Sequence, residues 1–478
     1  MALTQYKIRR FGGVHQGLCE NALDGADSPD ACNMETSDGN LSVAKGYVRH
    51  MEAALPAAHG IARMYVWNRD GARRFIAVCQ NTVYAMGETD TAWRALHTYA
   101  DTQAGTAQYD FQALKIASTE YLVIASGRGQ LVKWDGESET ASPFGSEEGL
   151  SNMAVTYVEL YYNRLFAAGD AEHPARLYWS CAPGDTRTVE QWNSVEQSEN
   201  VSGGHVEVGT DSDPITGLFA LSNQLLIFKK DSLYRLLGDR PSNYRICPVN
   251  AAMRQPVHTA VARYGDVLYF LTDGGMYYFD GQSVQRQPDA DKVRKFIGGA
   301  DLSACRAAAC RDRLYFAVRE HAQSPGNDAV LVYDLAQRSY MVRRGFIAYD
   351  LSSAGGVLYL ADGNGRVCRF NEGASYDGRQ IDAYWNTPLT DLDAKFAQKR
   401  LSELYLRGTG GLVLISASAG GTPACYERVM PGSGEDVLEA PLSCSGRAFS
   451  LRFSNVSGSQ FTIEGGVELL CDVQRRIL

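Results

Sequence analysis

Apolar and aromatic residues along this chain fall into pairs of short runs separated by a tight polar turn, and the pairing recurs seven times. The pairs read RFIAVCQNTVYAMG (74–87), YLVIASGRGQLVKWDG (121–136), ELYYNRLFAAGDAEHPARLYWS (159–180), ALSNQLLIFKKDSLYRLLG (220–238), RYGDVLYFLTDGGMYYFDG (263–281), RDRLYFAVREHAQSPGNDAVLVYDL (311–335) and GGVLYLADGNGRVCRF (355–370). β-Branched and aromatic residues flanking a turn of Gly, Asn or Asp predict β-hairpins. Alternation is clearest in VLYFL (267–271) and RLYFAV (313–318), as half-buried antiparallel strands require. Successive starts are spaced mostly in the forties, the period of a propeller blade. One hairpin cannot bury its own apolar face, so such units must stack around a common axis. The expectation is an all-β chain with a β-propeller of seven four-stranded blades, six as the fallback, over residues 61–371.

The flanks of the repeat read differently. Residues 1–60 hold few strand signals and several Gly-containing turns. They predict an extended N-terminal arm that gains its order by packing on a neighbouring surface. Residues 282–303 break the strand pattern, and Val293, Phe296 and Ile297 at helical spacing predict a short helix between blades. After Phe370, the runs LSELYLRG, LVLISASAG, RAFSLRFSNVSG and FTIEGGVELLCDV predict a β-sandwich over residues 376–478, beside the propeller. The Gly-, Asn- and Ser-rich junction at 372–380 reads either as a linker or as a strand exchanged between domains.

Composition narrows the function. The chain has 478 residues, 45% hydrophobic and 21% charged, with net charge −9. It carries no basic footprint for phosphate neutralisation; the densest basic stretch, KVRKF (292–296), is too short. No run of 18 apolar residues predicts a membrane span, and the N-terminal MALTQYKIRR lacks the apolar stretch of a secretory signal. Eleven cysteines, placed singly and mostly in apolar strands, read as buried reduced thiols, consistent with synthesis in a reducing cytoplasm.

Candidate chemistry is sparse. Asp211 and Asp213 have the spacing of loop charge rather than of a paired acid and base. Cys305 and Cys310 have no further ligands nearby for zinc. Asp362-Gly-Asn-Gly365 lacks the later acidic ligands of a calcium loop and reads as a turn. The diglycines Gly274-Gly275 and Gly355-Gly356 read as turns with positive φ. Two Asn-x-Ser sequons, Asn200 and Asn455, carry little meaning without a secretory signal. No phosphate loop and no nucleophile elbow is present. The expectation is no catalytic, cofactor-binding or metal-binding residue, and no enzyme.

Three stretches are more specific than the repeat. The arm runs Gly12-Gly13-Val14, Asp24-Gly25, Asn33, Gly39-Asn40-Leu41 and Gly46-Tyr47. DPITGLFALSNQLLIFKKDSLYRLLGD (213–239) and DVLYFLTDGGMYYFDGQSVQ (266–285) form two successive units. Together they resemble the tail hub or nozzle proteins of tailed bacteriophages, a β-propeller with an attached β-sandwich. The resemblance implies a homo-oligomeric ring, a hexamer, beneath the portal–adaptor complex of a virion tail. Such a ring prolongs the DNA channel, touches DNA only in transit, and carries fibres, spikes or a needle. A mildly acidic chain suits a conduit that must not bind DNA. A receptor- or glycan-binding propeller is the alternative, with Trp134, Trp179 and Trp192 as candidate mouth aromatics. A polysaccharide hydrolase is the third reading, opposed by the missing acid/base pair.

Overall fold

The computed structural model describes residues 2–55, 61–100, 108–145, 154–184, 187–193, 200–249, 256–392, 395, 397–419, 424–430 and 437–474. All seven sequence-predicted hairpins form, and the chain is a β-propeller with a β-sandwich against one side. Five antiparallel four-stranded sheets follow one another: 61–98, 110–143, 157–207, 215–249 and 261–286. A seven-stranded sheet then spans 301–370 and takes Tyr47–Arg49 as its last strand. Its 16-residue strand Ser339–Ala354 pairs with Asn327–Asp334 through its first half and with Val357–Asp362 through its second. Gly345, at φ 95°, lies between the two halves, where a side chain would oppose the change of direction.

Adjacent sheets bury separate apolar layers, and these layers close the ring. Trp67 and Trp134 meet between the first two sheets, with ring centroids 6.0 Å apart. Leu218, Leu225 and Phe166 fill another layer, and Phe228 and Phe270 the next. The final layer joins Tyr359, Ala361 and Val367 to Ile61, Met64 and Phe75, so last sheet packs on first. Fully burying one such side chain contributes about 1.5–3 kcal/mol, so the layers outweigh any single polar contact. The predicted helix forms as Arg294–Gly299 after a 3₁₀ turn, and Val293, Phe296 and Ile297 are all buried.

The arm differs from expectation. It is ordered within its own chain and belongs to both larger units. Ala2–Ile8 pairs with Val467–Val473 in one sandwich sheet, and Asn40–Val43 and Met34–Ser37 continue that sheet. Ala31–Cys32 ends the other sandwich sheet beside Tyr384–Asn386. Phe11 stands edge-on to Trp385 and Phe453 in the sandwich core. The arm strand Tyr47–Arg49 then closes the propeller. The physical reason is that most arm strands have only two to four residues, too brief to stand out against turns in a sequence, while the seven-residue Ala2–Ile8 has its partner in the remote Val467–Val473. Residues 56–60 of the arm lie outside the described residues.

Asn33 is the knot of this joint. Its side chain donates to the carbonyls of Arg344 and Asp382 and accepts from Arg344 N–H and the Tyr376 hydroxyl. Its backbone joins Val342 and Ala44. Glu35 pairs with Arg343, which is 1% exposed, and with Arg313 at 3.1 Å. Burial works against the Glu35 charge, but the two arginines overcome it and hold the carboxyl below its usual range. Gly46 leaves no room for a Cβ against the Ser375 carbonyl. Tyr47 stacks on Tyr376 at 5.4 Å, so the junction at 372–380 is packed against the arm.

Candidate functional site

The first strand of each sheet faces the propeller axis, and charged side chains collect there. Two carboxylates organise this belt. Asp350 is fully buried and accepts Met64 N–H at 2.6 Å and Leu351 N–H at 2.9 Å. Arg63 Nη1 lies 3.2 Å from both its oxygens, and Arg306 Nε 3.7 Å from Oδ1. Asp110 repeats the arrangement elsewhere in the ring. It accepts Val158 N–H and Phe111 N–H, each at 3.0 Å, and its counter-ion is His258, Nε2 to Oδ1 3.4 Å. Asp110 thus ties the first strand of its own sheet to the first strand of the next, and Asp350 ties the second half of Ser339–Ala354 to the first strand of the first sheet. First strands splay apart around an axis and leave N–H groups that no ladder satisfies, so a side-chain oxygen takes them.

Electrostatics divides the belt. Burial opposes the charge on Asp110, yet His258 and the Val158 N–H prevail and hold its carboxyl below the ordinary range. Glu159, one residue beyond Val158, goes the other way. Burial and the negative charge of Asp110 push it up to about 8, against the pull of Arg263 and the Ala220 N–H. Glu159 therefore keeps its proton at neutral pH.

A lowered and a raised carboxyl side by side with a histidine is a pattern that acid/base catalysis uses. The geometry here argues for structure. His258 is wedged between Tyr157 and Phe219, each 4.9 Å away by ring centroid. With Nε2 on Asp110, the nitrogen left to accept a substrate proton is Nδ1, which is buried without a hydrogen-bond partner among the described residues. Gly217 backs it so closely that a Cβ there would lie 2.7 Å from Nδ1. A general base must reach its substrate, and this one is sealed.

The residues singled out in the sequence are scattered and serve turns or packing. Asp213 caps Asp231 N–H and the Ser232 hydroxyl, and Asp211 accepts Ala175 N–H at 3.3 Å. Cys305 is fully buried, its thiol pushed up to about 12 by burial, and it lies on the same strand as the half-buried Cys310. Asp362 accepts the N–H groups of Asn364 and Arg366, closing a turn. Gly275, Gly355 and Gly356 have positive φ, whereas Gly274 does not. Asn455 turns inward, donating to Ile381 O and accepting from Ala383 N–H. Asn200 gives its carbonyl to buried Arg164. Trp134, Trp179 and Trp192 belong to three different inter-sheet layers and do not meet at one mouth. No group of three or more potential metal ligands occurs among the described residues.

Sequence reading missed Asp110, Glu159, His258, Arg63, Arg306 and Asp350. The signal available was weak: five are lone charges on strands and His258 opens a 3₁₀ turn, and nothing in the chain order links them.

No protein-family model and no curated protein sequence matches the chain. Solved structures resemble it at low identity. The extracellular domain of a one-component system from B. thetaiotaomicron matches at 11% identity, TM-score 0.44, over 81% of this chain and 48% of that one. The chain thus spans about half the length of that relative. YCF48 bound to D1 peptide matches at 10%, TM-score 0.42, over 67% of this chain and 94% of the other. A chain of the mitotic checkpoint complex matches at 12%, TM-score 0.40, over 69% and 94%.

Proposed function

We propose that this protein is a structural, non-enzymatic part of a bacteriophage tail, a subunit of the hub or nozzle ring below the portal–adaptor complex. The reading takes the seven-stranded sheet as two blades that share Ser339–Ala354, and so a propeller of seven blades. The observation that carries the reading is the placement of the arm motif. Its residues, Gly12-Gly13-Val14, Asn33, Gly39-Asn40-Leu41 and Gly46-Tyr47, lie where arm, propeller and sandwich are sewn together. A conduit under pressure needs its domains to move as one body, and a polar knot with buried ion pairs supplies that stiffness. The sealed axial belt supports a scaffold role over catalysis. Purified phage particles encoding this chain should contain it in several copies by mass spectrometry, with immunogold label at the tail vertex. Its absence from particles, or label confined to host membranes, overturns the reading.

A further inference from the structure

Regular sheet edges invite another strand to pair, and folded proteins blunt them with proline, bulges or brevity. Among the described residues most outer strands here are blunted. Arg245–Val249 carries Pro248, Ser142–Pro143 and Val284–Arg286 are very short, and Val437–Gly446 carries Pro441 and a register shift. Two edges are not. Ala2–Ile8 pairs with Val467–Val473 in unbroken register, and no backbone hydrogen bond between described residues reaches its far side. Ala424–Val429 pairs with Leu412–Ala417, also unbroken, and ends its sheet.

These two edges lie on opposite flanks of the sandwich. Ala2–Ile8 ends the row Val437–Gly446, Gln398–Gly410, Phe461–Gln474, whereas Ala424–Val429 sits beside Val437–Gly446 at the other end. Their surfaces complement each other. Arg9 and Arg10 are exposed on one flank, where Lys7 is already paired with Glu468, and Glu427 is exposed on the other, beside Arg428 in its strand. Val429, 66% exposed, is a bare apolar side chain two residues along the strand from Glu427. When two antiparallel strands align their outer faces, Arg9, just past the end of Ala2–Ile8, can fall opposite Glu427.

We propose that Ala2–Ile8 of one copy pairs antiparallel with Ala424–Val429 of the next, joining sandwiches head to tail. The contact is heterologous, the type that builds rings when its rotation closes. It rests on the ring reading above and names the surfaces that make the ring.

The test is a charge swap on exposed positions, which spares the fold. Arg9→Glu with Arg10→Glu sets acid against Glu427, and Glu427→Lys with Val429→Lys sets base against the basic edge. Sedimentation of the full chain should show an oligomer, each variant alone should associate at least about tenfold more weakly, and an equimolar mixture should restore assembly. Amides of Ala2–Ile8 should exchange more slowly in the assembled wild type than in either variant. An oligomer that both variants leave intact overturns this contact but not the ring. A wild-type chain that stays monomeric at every concentration overturns the contact and the self-assembling ring together.

Discussion

Asp350 and Asp110 meet the same backbone demand at two places in one ring, with different counter-ions. Asp350 is held by Arg63 and Arg306. Asp110 is held by the imidazole of His258, and it stands next to a carboxyl that keeps its proton. Asp350 also spans the point where the last sheet packs on the first, whereas Asp110 joins two sheets that follow each other in sequence. The difference teaches that the inter-blade clasp is a geometric requirement, while its strength and pH response are set by whichever side chain arrives opposite.

Four substitutions separate the two clasps, from the largest effect to the smallest. Asp350→Asn should destabilise by about 3–5 kcal/mol, because it strands two partly buried guanidinium groups without a counter-charge. Chemical denaturation measures this, and a cost no greater than that of the Asp110 variant breaks the comparison.

Asp110→Asn should cost about 1–3 kcal/mol at neutral pH, since one backbone N–H and the histidine keep a weaker acceptor. The folded-state pKa of Asp110 is depressed, so its charged form stabilises the fold above the ordinary carboxylate range. That contribution is lost as pH falls through the depressed value, and wild type and variant should converge in strong acid. A constant gap across the acid range would contradict the assignment.

Glu159→Gln should act with the opposite sign. Its folded-state pKa, about 8, lies above its unfolded value, so the wild type loses stability as pH rises from the ordinary carboxylate range to about 8. The variant should be more stable than wild type at mildly alkaline pH and indistinguishable in acid, read as melting temperature against pH. Because Asp110 helps raise Glu159, the double variant with Asp110→Asn should be non-additive.

His258→Gln keeps a donor within reach of Asp110 without a charge and should cost only about 0.5–1.5 kcal/mol. A loss as large as that of Asp350→Asn would show the two clasps to be equally tight and remove the contrast.

The hairpins were legible because each satisfies its own rules locally. VLYFL alternates, Gly355-Gly356 supplies a tight turn, and Val293, Phe296 and Ile297 keep helical spacing, whatever else the chain does. Arm strands such as Ala31–Cys32 and Tyr47–Arg49 were illegible because they are short and their partners lie more than three hundred residues away, in Tyr384–Asn386 and Val367–Phe370. The axial belt was illegible for the same reason. Asp350 and Met64, or Asp110 and His258, are neighbours only once the ring has closed. Local alternation and turn chemistry depend on adjacent residues, so the sequence by itself determined an all-β chain of repeated hairpins around an axis. Which lone charges meet at that axis, and that the arm is sewn into both domains, depends on ring closure, so only the tertiary structure decided them.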